Sequence, residues 1–287
     1  MARSLSTLPA APATAALTAL AMAAFAANSL LARLALKGTG IDAATFTLVR
    51  IASAAVVLML ILRVRGGQRG MAGDWPAAVA LLVYACGFSF AYLRLSAGTG
   101  ALILFACVQA TMIGHGLWQG DRLRAIQWLG TALALAGLVW LVLPGLQAPP
   151  PGATVMMAAA GIGWGVYSLR GKRAADALAA TAGNFVRAVP LAVAISAAAL
   201  PMLSVDLHGV LCGIASGAVT SGVGYVIWYA ALRGLSSTTA ATVQLSVPVL
   251  AALGGIAWLG EPMTARLAVG ASAILGGIAL IIVARRR

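Results

Sequence analysis

Long apolar segments alternate with short polar breaks along the whole chain. Ten such segments can be drawn, and each has about the 20 residues that a helix needs to cross a bilayer. The predicted helices cover residues 13–36, 43–64, 75–95, 98–118, 124–145, 151–170, 175–201, 207–230, 237–259 and 264–284. Because the connectors between them are brief, the pattern predicts an all-α integral membrane protein with ten transmembrane helices and no extramembrane domain.

The composition supports a membrane location and excludes several other classes. Apolar residues make up 62% of the chain and charged residues 9%, against about 45–50% and about 25% in soluble domains. A net charge of +13 is high enough to suggest nucleic-acid binding, but the basic residues are scattered between apolar segments rather than clustered on one soluble face. Cys86, Cys107 and Cys212 lie in apolar segments without CxxC spacing, so we expect small hydrophobic side chains, no metal and no cofactor.

The distribution of basic residues predicts the orientation in the membrane. An even number of helices places both termini on one side. The basic residues near helix ends on that side are Arg3, Arg63, Arg65, Arg69, Arg122, Arg124, Arg170, Lys172, Arg173, Arg233, Arg285, Arg286 and Arg287. The opposite side has only Arg33, Lys37, Arg94 and Arg266. This asymmetry predicts a multi-pass protein of the inner (plasma) membrane with both termini in the cytoplasm.

The chain repeats itself. A shift of 140 residues lays 95–137 on 235–277 without a gap, and a shift of 137 aligns the earlier helices. The aligned pairs include Trp118/Trp258, Gly120/Gly260, Asp121/Glu261, Arg33/Arg170, Thr47/Asn184 and Arg50/Arg187. We therefore predict two five-helix halves, residues 1–147 and 148–287. Five is odd, so the second half enters the membrane upside down, as in the inverted repeats of secondary transporters.

Three segments resemble a known family. They are YVIWYAALRGLSSTTAATVQLSVPVLAALGGIAWLGEPMT near the end, FTLVR at Phe46–Arg50 and NFVR at Asn184–Arg187. They resemble the EamA family of the drug/metabolite transporter (DMT) superfamily, whose mark is a proline-bearing ninth helix followed by a Gly–Glu–Pro turn. The resemblance covers essentially the whole chain and is greatest to the YddG branch of amino-acid exporters. The first half departs from the pattern, because Val108 stands where the second half has Pro248.

The resemblance implies a secondary transporter that exports amino acids, aromatic or hydrophobic ones and related metabolites, by alternating access. We expect it to act as a monomer on a small-molecule substrate in the lipid bilayer. The alternatives are a multidrug, nucleobase or quaternary ammonium exporter, a passive channel and a membrane scaffold without transport activity. An enzyme is not expected, because His115 and His208 form no HExxH motif and the chain has no Walker A sequence.

Polar residues on the predicted fourth and ninth helices are candidates for a substrate cavity. Pro248 lies near the middle of the ninth helix, where a proline frees the carbonyl of Gln244. The polar residues nearby are Gln109, Thr111, Thr239, Thr242, Gln244 and Ser246. Such groups are costly at membrane depth unless they are paired or face a wet cavity. They line either a substrate cavity or an interhelical hydrogen-bond seam.

Other helices supply further candidates for the wall of this cavity. Asn28, Tyr84 and Tyr225 are the polar ones, and Trp164 stacks on an aromatic or apolar substrate unless it faces lipid or the core. His115 is the only histidine in a predicted span.

On the eighth helix, Gly213, Gly217 and Ser221 form a small-residue strip that indicates a packing seam. We expect the fifth and tenth helices, with Gly130, Gly137, Gly270 and Gly277, to pack at the periphery.

Arg50 and Arg187 lie within spans, where a charge is expensive. Each shares a helix face with a polar residue three positions earlier. They either bind a substrate carboxylate, or they snorkel or tie helices together through freed carbonyls. The second interpretation is favoured because both halves carry such an arginine.

All six carboxylates lie outside the spans or at their ends, namely Asp42, Asp74, Asp121, Asp176, Asp206 and Glu261. We therefore predict that export does not depend on a buried carboxylate. In the WLGEPMT segment, Gly260 suits a helix C-cap, Pro262 suits the first turn of the tenth helix, and Glu261 complements the positive end of that helix.

Overall fold

The described part of the chain is helical. The computed structural model describes residues 11–65, 72–120, 122–145, 148–171, 174–235, 240 and 243–284. The helices are α1 Ala11–Gly38, α2 Ala43–Val64, α3 Trp75–Tyr92, α4 Ala97–Trp118, α5 Ala125–Val142, α6 Pro151–Gly171, α7 Ala177–Ala198, α8 Leu207–Leu232, α9 Ser246–Leu259 and α10 Ala265–Ala284. Within the described residues, nine helices are long and apolar enough to cross a membrane, and α9 is a shorter apolar helix.

Four of the predicted helix starts are fixed by aspartates. Asp42, Asp74, Asp176 and Asp206 occupy the N-cap positions of α2, α3, α7 and α8, and each accepts hydrogen bonds from backbone amides of the first turn. A carboxylate there satisfies otherwise unpaired amides and complements the helix dipole. The prediction that these carboxylates lie at helix ends is confirmed, whereas Asp121 lies outside the described residues.

The helices around the centre pack in a regular set of pairs. α6 packs on α3 and α4, and α1 packs on α8 and α9. α2 packs on α7 and α8, α7 also packs on α3, and α4 crosses α9. This arrangement surrounds a common centre with α1, α2, α3, α6 and α8.

The fifth and tenth helices form a peripheral pair, as predicted. Gly130 of α5 lies against the carbonyl of Gly277 in α10, and Gly137 lies against the stretch of α10 at Gly270 and Ile274. The glycines allow the two backbones to approach closely. The outer face of α5 stays exposed, with its Trp128 side chain 54% accessible.

The ninth helix does not run unbroken through Pro248. Ala240, Val243 and Gln244 are helical, Leu245 forms a turn, and α9 runs on from Ser246. The predicted break is thus observed at Leu245, and Pro248 lies in the first turn after it. A proline is tolerated there because amides of the first turn have no acceptor inside the helix. Thr239 and Thr242 lie outside the described residues.

The eighth helix contains a π-helical segment, Ala215–Val223. The predicted packing seam on this helix is confirmed at two glycines. Gly217 lies against the carbonyl of Arg50 and the hydroxyl of Ser53, and Gly213 lies against Val49. π-helical segments are rare and occur frequently at functional sites.

The connector before α10 differs from the prediction in two respects. Gly260 has φ 64° and forms the left-handed C-cap of α9, as expected. α10, however, begins only at Ala265, so Pro262 lies in the connector and not in the first turn. Glu261 does not serve α10 either, because its carboxylate accepts from the Ala97 amide of α4 at 2.8 Å.

Candidate functional site

A buried asparagine joins three helices near the middle of the bundle. Asn28 of α1 donates from Nδ2 to the Tyr84 hydroxyl of α3 at 3.2 Å. Its Oδ1 accepts from the hydroxyls of Ser216 and Thr220, both in the π-helical part of α8, at 2.7 and 3.1 Å. These four side chains are at most 6% exposed, so their hydrogen bonds are made without competition from bulk water. Together with Arg50 they form what we call the central polar cluster.

Arg50 of α2 completes the central polar cluster. Its Nη2 donates to the Tyr84 hydroxyl at 2.7 Å, and its Cζ lies 4.9 Å from the centroid of the Tyr84 ring and 4.7 Å from that of Phe88. The residue is 2% exposed. Its Nη1 is buried and has no hydrogen-bond partner among the described residues. Such an unpaired donor on a buried charge is unusual, because burying a charge is costly unless it is paired.

Aromatic rings continue from Tyr84 to α6 and α8. The Trp164 ring of α6 lies 4.9 Å from Tyr84, 5.4 Å from Tyr167 and 5.4 Å from Tyr225 of α8, measured between ring centroids. We call Tyr84, Trp164, Tyr167 and Tyr225 the aromatic wall. Trp164 is half-buried, whereas the three tyrosines are buried. A wall of this kind offers flat apolar surfaces beside the charged and polar groups of the central polar cluster.

The repeat mate of Arg50 has a different environment. Arg187 donates from Nη1 to the carbonyls of Ala72 and Gly183, at 2.8 and 3.0 Å. It therefore ties α7 to the connector before α3. Next to it, Asn184 accepts from the Asp74 amide at 3.0 Å. The predicted structural role is thus observed for Arg187, while Arg50 makes no such bond to a backbone carbonyl among the described residues.

Four of the predicted site residues meet at the centre, and three lie apart. Asn28, Tyr84, Trp164 and Tyr225 belong to the cluster and its wall. Among the described residues, no hydrogen bond or ring contact joins Gln109, His115 or Gln244 to them. Gln109 faces a crevice between α4, α5 and α10, Gln244 is half-buried ahead of α9, and the His115 ring lies 6.2 Å from Trp118.

Two residues of the central polar cluster, Ser216 and Thr220, were not predicted from the sequence. Ser216 and Thr220 are four positions apart and share a helix face, which was the available signal. The predicted small-residue strip at Gly213, Gly217 and Ser221 lies on another side of α8. The Ser216 hydroxyl and the Thr220 hydroxyl point to Asn28, while Gly217 packs on α2.

An ion pair closes one end of the bundle. Arg33 of α1 donates from Nε to Oε1 of Glu261 at 3.0 Å, and its Nη1 donates to the Tyr92 carbonyl at 2.9 Å. The Arg33 and Glu261 side chains are 8% and 11% exposed. Together with the Ala97 amide bond, the pair connects α1, the α3–α4 corner and the α9–α10 connector. By contrast, the pair of Arg170 with Asp74 is 43% and 48% exposed.

A second tie lies at the same end, between the connectors before α2 and α8. The Asp42 amide donates to the Ser204 carbonyl at 2.9 Å, and Asp42 Oδ2 accepts from the Ser204 amide at 3.1 Å. Partial burial acts to raise the pKa of the Asp42 carboxyl, but the hydrogen bonds from Thr45, Ser204 and Ala44 outweigh it and hold that pKa below its ordinary value.

Comparison with known proteins identifies relatives of the chain. Residues 152–283 match the model of the EamA-like transporter family. A Pseudomonas aeruginosa protein named "Uncharacterized protein PA1977" is 50% identical over 265 residues, which cover 92% of each chain. A Streptantibioticus cattleyicolor protein named "Probable terminal-alkyne amino-acid exporter" is 26% identical over 268 residues, covering 87% of this chain and 86% of the relative.

The fold also has a solved counterpart. A structure described as "Crystal structure of protein" superposes with a TM-score of 0.63 at 19% identity, covering 93% of this chain and 98% of the other. At that identity the likeness concerns the fold alone. The apolar helices and the family match indicate a multi-pass membrane protein.

Proposed function

Because the chain belongs to the EamA-like transporter family, we propose that it is a secondary transporter of the inner membrane that exports amino acids, in particular aromatic or otherwise hydrophobic ones. The observation that carries this proposal is the central polar cluster beside the aromatic wall. A hydrophobic amino acid presents charged groups at one end and an apolar side chain at the other, and the cluster and wall offer complementary surfaces. The name of the Streptantibioticus cattleyicolor relative supports an amino acid as the substrate.

We further propose that residues 1–147 and 148–287 are two inverted halves that rock about this site. Exchanging the halves maps three of the packed pairs onto other packed pairs: α3–α6 onto α8–α1, α4–α6 onto α9–α1, and α2–α8 onto α7–α3. The α5–α10 pair supports the same relation, because Gly130 meets Gly277 while their repeat mates Gly270 and Gly137 meet in turn. A two-fold axis between inverted halves produces such reciprocal contacts.

The two ends of the α4–α9 crossing differ, which supports alternating access. At the end that carries Glu261, Gly98 of α4 packs directly on Ala252 of α9, and the first half of α4 is buried. From Gln109 onward α4 is half-buried or exposed, and residues 243–246 just before and at the start of α9 are half-buried, although Val247 and Pro248 are buried. In our proposal the Glu261 end is the periplasmic one, since the basic residues favour cytoplasmic termini, and it is closed in this conformation.

A quaternary ammonium or other cationic drug is the main alternative substrate. The aromatic wall suits a cation, but the buried Arg50 guanidinium lies within 4.9 Å of one of its rings and repels a positive charge. This arrangement favours a substrate with an anionic group over a purely cationic one.

Export from cells tests the proposal. Bacteria fed leucine- or phenylalanine-containing dipeptides accumulate the free amino acid, and expression of the protein should lower its intracellular level and raise its extracellular level. The Asn28→Ala variant should lose most of this effect, whereas Trp118→Leu, at a side chain that is 87% exposed, should retain it. Equal amino-acid levels with and without the membrane-inserted protein would contradict the proposal.

A further inference from the structure

We propose that Arg50 is the receptor for the substrate carboxylate, so that the transported compounds are those with a free carboxylate group. This inference rests on the proposed function and adds to it the group that selects the substrate. It begins from the orphaned Nη1, an atom that is buried on a residue only 2% exposed and has no partner among the described residues.

The first argument concerns the missing counter-charge. A cation inside a bundle needs a paired anion or hydrogen-bond acceptors. The chain has six carboxylates, and the five in the described residues are engaged elsewhere. Four cap helices α2, α3, α7 and α8, and Glu261 pairs with Arg33. Asp121 lies outside the described residues. Arg50 therefore has no carboxylate partner in the described part of the chain.

The second argument compares the two repeat-related arginines. Arg187 donates hydrogen bonds to two backbone carbonyls, as an arginine with a structural role does. Arg50 instead contacts a hydroxyl and two ring faces. Rings offset part of the desolvation of a guanidinium, but they do not neutralise its charge. Nη1 of the guanidinium thus remains available for the charge-assisted hydrogen bonds that arginine makes with carboxylates.

The third argument concerns what lies next to the arginine. Tyr84 contacts both Arg50, through its hydroxyl and ring, and Trp164, through its ring. A carboxylate at Nη1 therefore has the aromatic wall within reach of an apolar side chain. With Arg50 only 2% exposed, the substrate reaches Nη1 when the two halves rock apart.

The test uses competition for counterflow of labelled leucine in proteoliposomes that contain the full-length protein. The unlabelled competitors are leucine, leucinamide, which lacks the carboxylate, and 4-methylpentanoate, which lacks the ammonium group. In the wild type, leucinamide should compete roughly 10- to 100-fold more weakly than leucine, the factor expected for one charged hydrogen bond. The 4-methylpentanoate anion should still compete.

Two arginine variants separate recognition from folding. In Arg50→Gln the half-inhibiting concentration of leucine should rise to that of leucinamide, while that of leucinamide stays the same. Arg50→Lys, which keeps the charge without the fork, should retain part of the preference for leucine. The matched control Arg187→Gln should lower the melting temperature but leave the leucine-to-leucinamide ratio unchanged.

The outcomes distinguish the inference from the proposed function. Wild-type counterflow with equal competition by leucine and leucinamide would leave amino-acid transport standing and overturn the role of Arg50. The same holds if Arg50→Gln and Arg50→Lys weaken leucine and leucinamide by the same factor, as a structural arginine would. If the wild type shows no counterflow of labelled leucine, both the proposed function and the inference are wrong.

Discussion

Removal of the charge on Glu261 should destabilise the whole protein, although the residue lies in a connector. In Glu261→Gln the buried Arg33 loses its only ion-pair partner in the described chain and keeps the Tyr92 carbonyl. The Ala97 amide at the start of α4 also exchanges a carboxylate for a neutral acceptor. The change therefore weakens the joint between α1, the α3–α4 corner and the α9–α10 connector at one end of the bundle.

The magnitude follows from the burial of the pair. Removing one partner of a buried pair costs about 3–5 kcal/mol, because the other charge remains buried and uncompensated. With side chains 8% and 11% exposed, the lower value of about 3 kcal/mol applies. At roughly 2–4 °C per kcal/mol for a chain of this size, the melting temperature should fall by about 6–12 °C.

The assay is the thermal unfolding of detergent-purified protein, followed by tryptophan fluorescence. The matched control is Arg170→Gln, which removes the repeat mate of Arg33 from an exposed pair and should cost at most about 1 kcal/mol. The double variant Arg33→Met/Glu261→Gln should lose less than the sum of its single variants, since neither charge is left alone. A Glu261→Gln protein that melts within 2 °C of wild type, or a control that loses as much, would refute the reasoning.

Three further predictions test the packing, the site and a connector. Gly217→Val should lower the free energy of unfolding by at least about 1–3 kcal/mol, because the valine side chain would meet the Arg50 backbone. The control is Gly114→Ala, whose added methyl group meets nothing within 4 Å. Equal melting temperatures of the two variants would contradict the prediction. Asn28→Ala should reduce the initial rate of leucine counterflow at least 10-fold with little loss of folded protein, because it removes the hub of the central polar cluster; an unchanged rate would remove Asn28 from the site. The pKa of Asp42 is depressed in the folded protein, so the stability that this carboxylate contributes is complete above the ordinary pKa of 3.8 and is lost as the pH falls through the folded pKa. Asp42→Asn should therefore lower the melting temperature at pH 7 and remove this acid dependence. Parallel melting-temperature profiles of the variant and the wild type from pH 7 to about pH 3 would contradict the stabilising role of Asp42.

The helices could be predicted because the bilayer imposes their length and their apolar composition. Four helix starts, those of α2, α3, α7 and α8, follow from the sequence too, since an aspartate ahead of an apolar run is a strong N-cap. The break in the ninth helix could also be predicted, because Pro248 has no amide to donate to the carbonyl of Gln244, and the helix is interrupted at Leu245, between these two residues.

The site was harder to predict because its residues find their partners across the bundle. Asn28, Tyr84, Trp164 and Tyr225 stood out as polar or aromatic residues at mid-span. The sequence does not tell that Arg50 lies on Tyr84 while Arg187 meets backbone carbonyls, since both occur in similar sequence contexts. Likewise, the partner of Glu261 is an arginine 228 positions away, which no local pattern predicts.

Counterflow of labelled leucine into proteoliposomes preloaded with unlabelled leucine tests the central claim most directly. A carrier with one site between two rocking halves should transiently accumulate label above the equilibrium level, with a rate that saturates as the external leucine concentration rises. A rate that rises linearly without accumulation would indicate a channel, and label that stays at the level of protein-free liposomes would contradict amino-acid transport altogether.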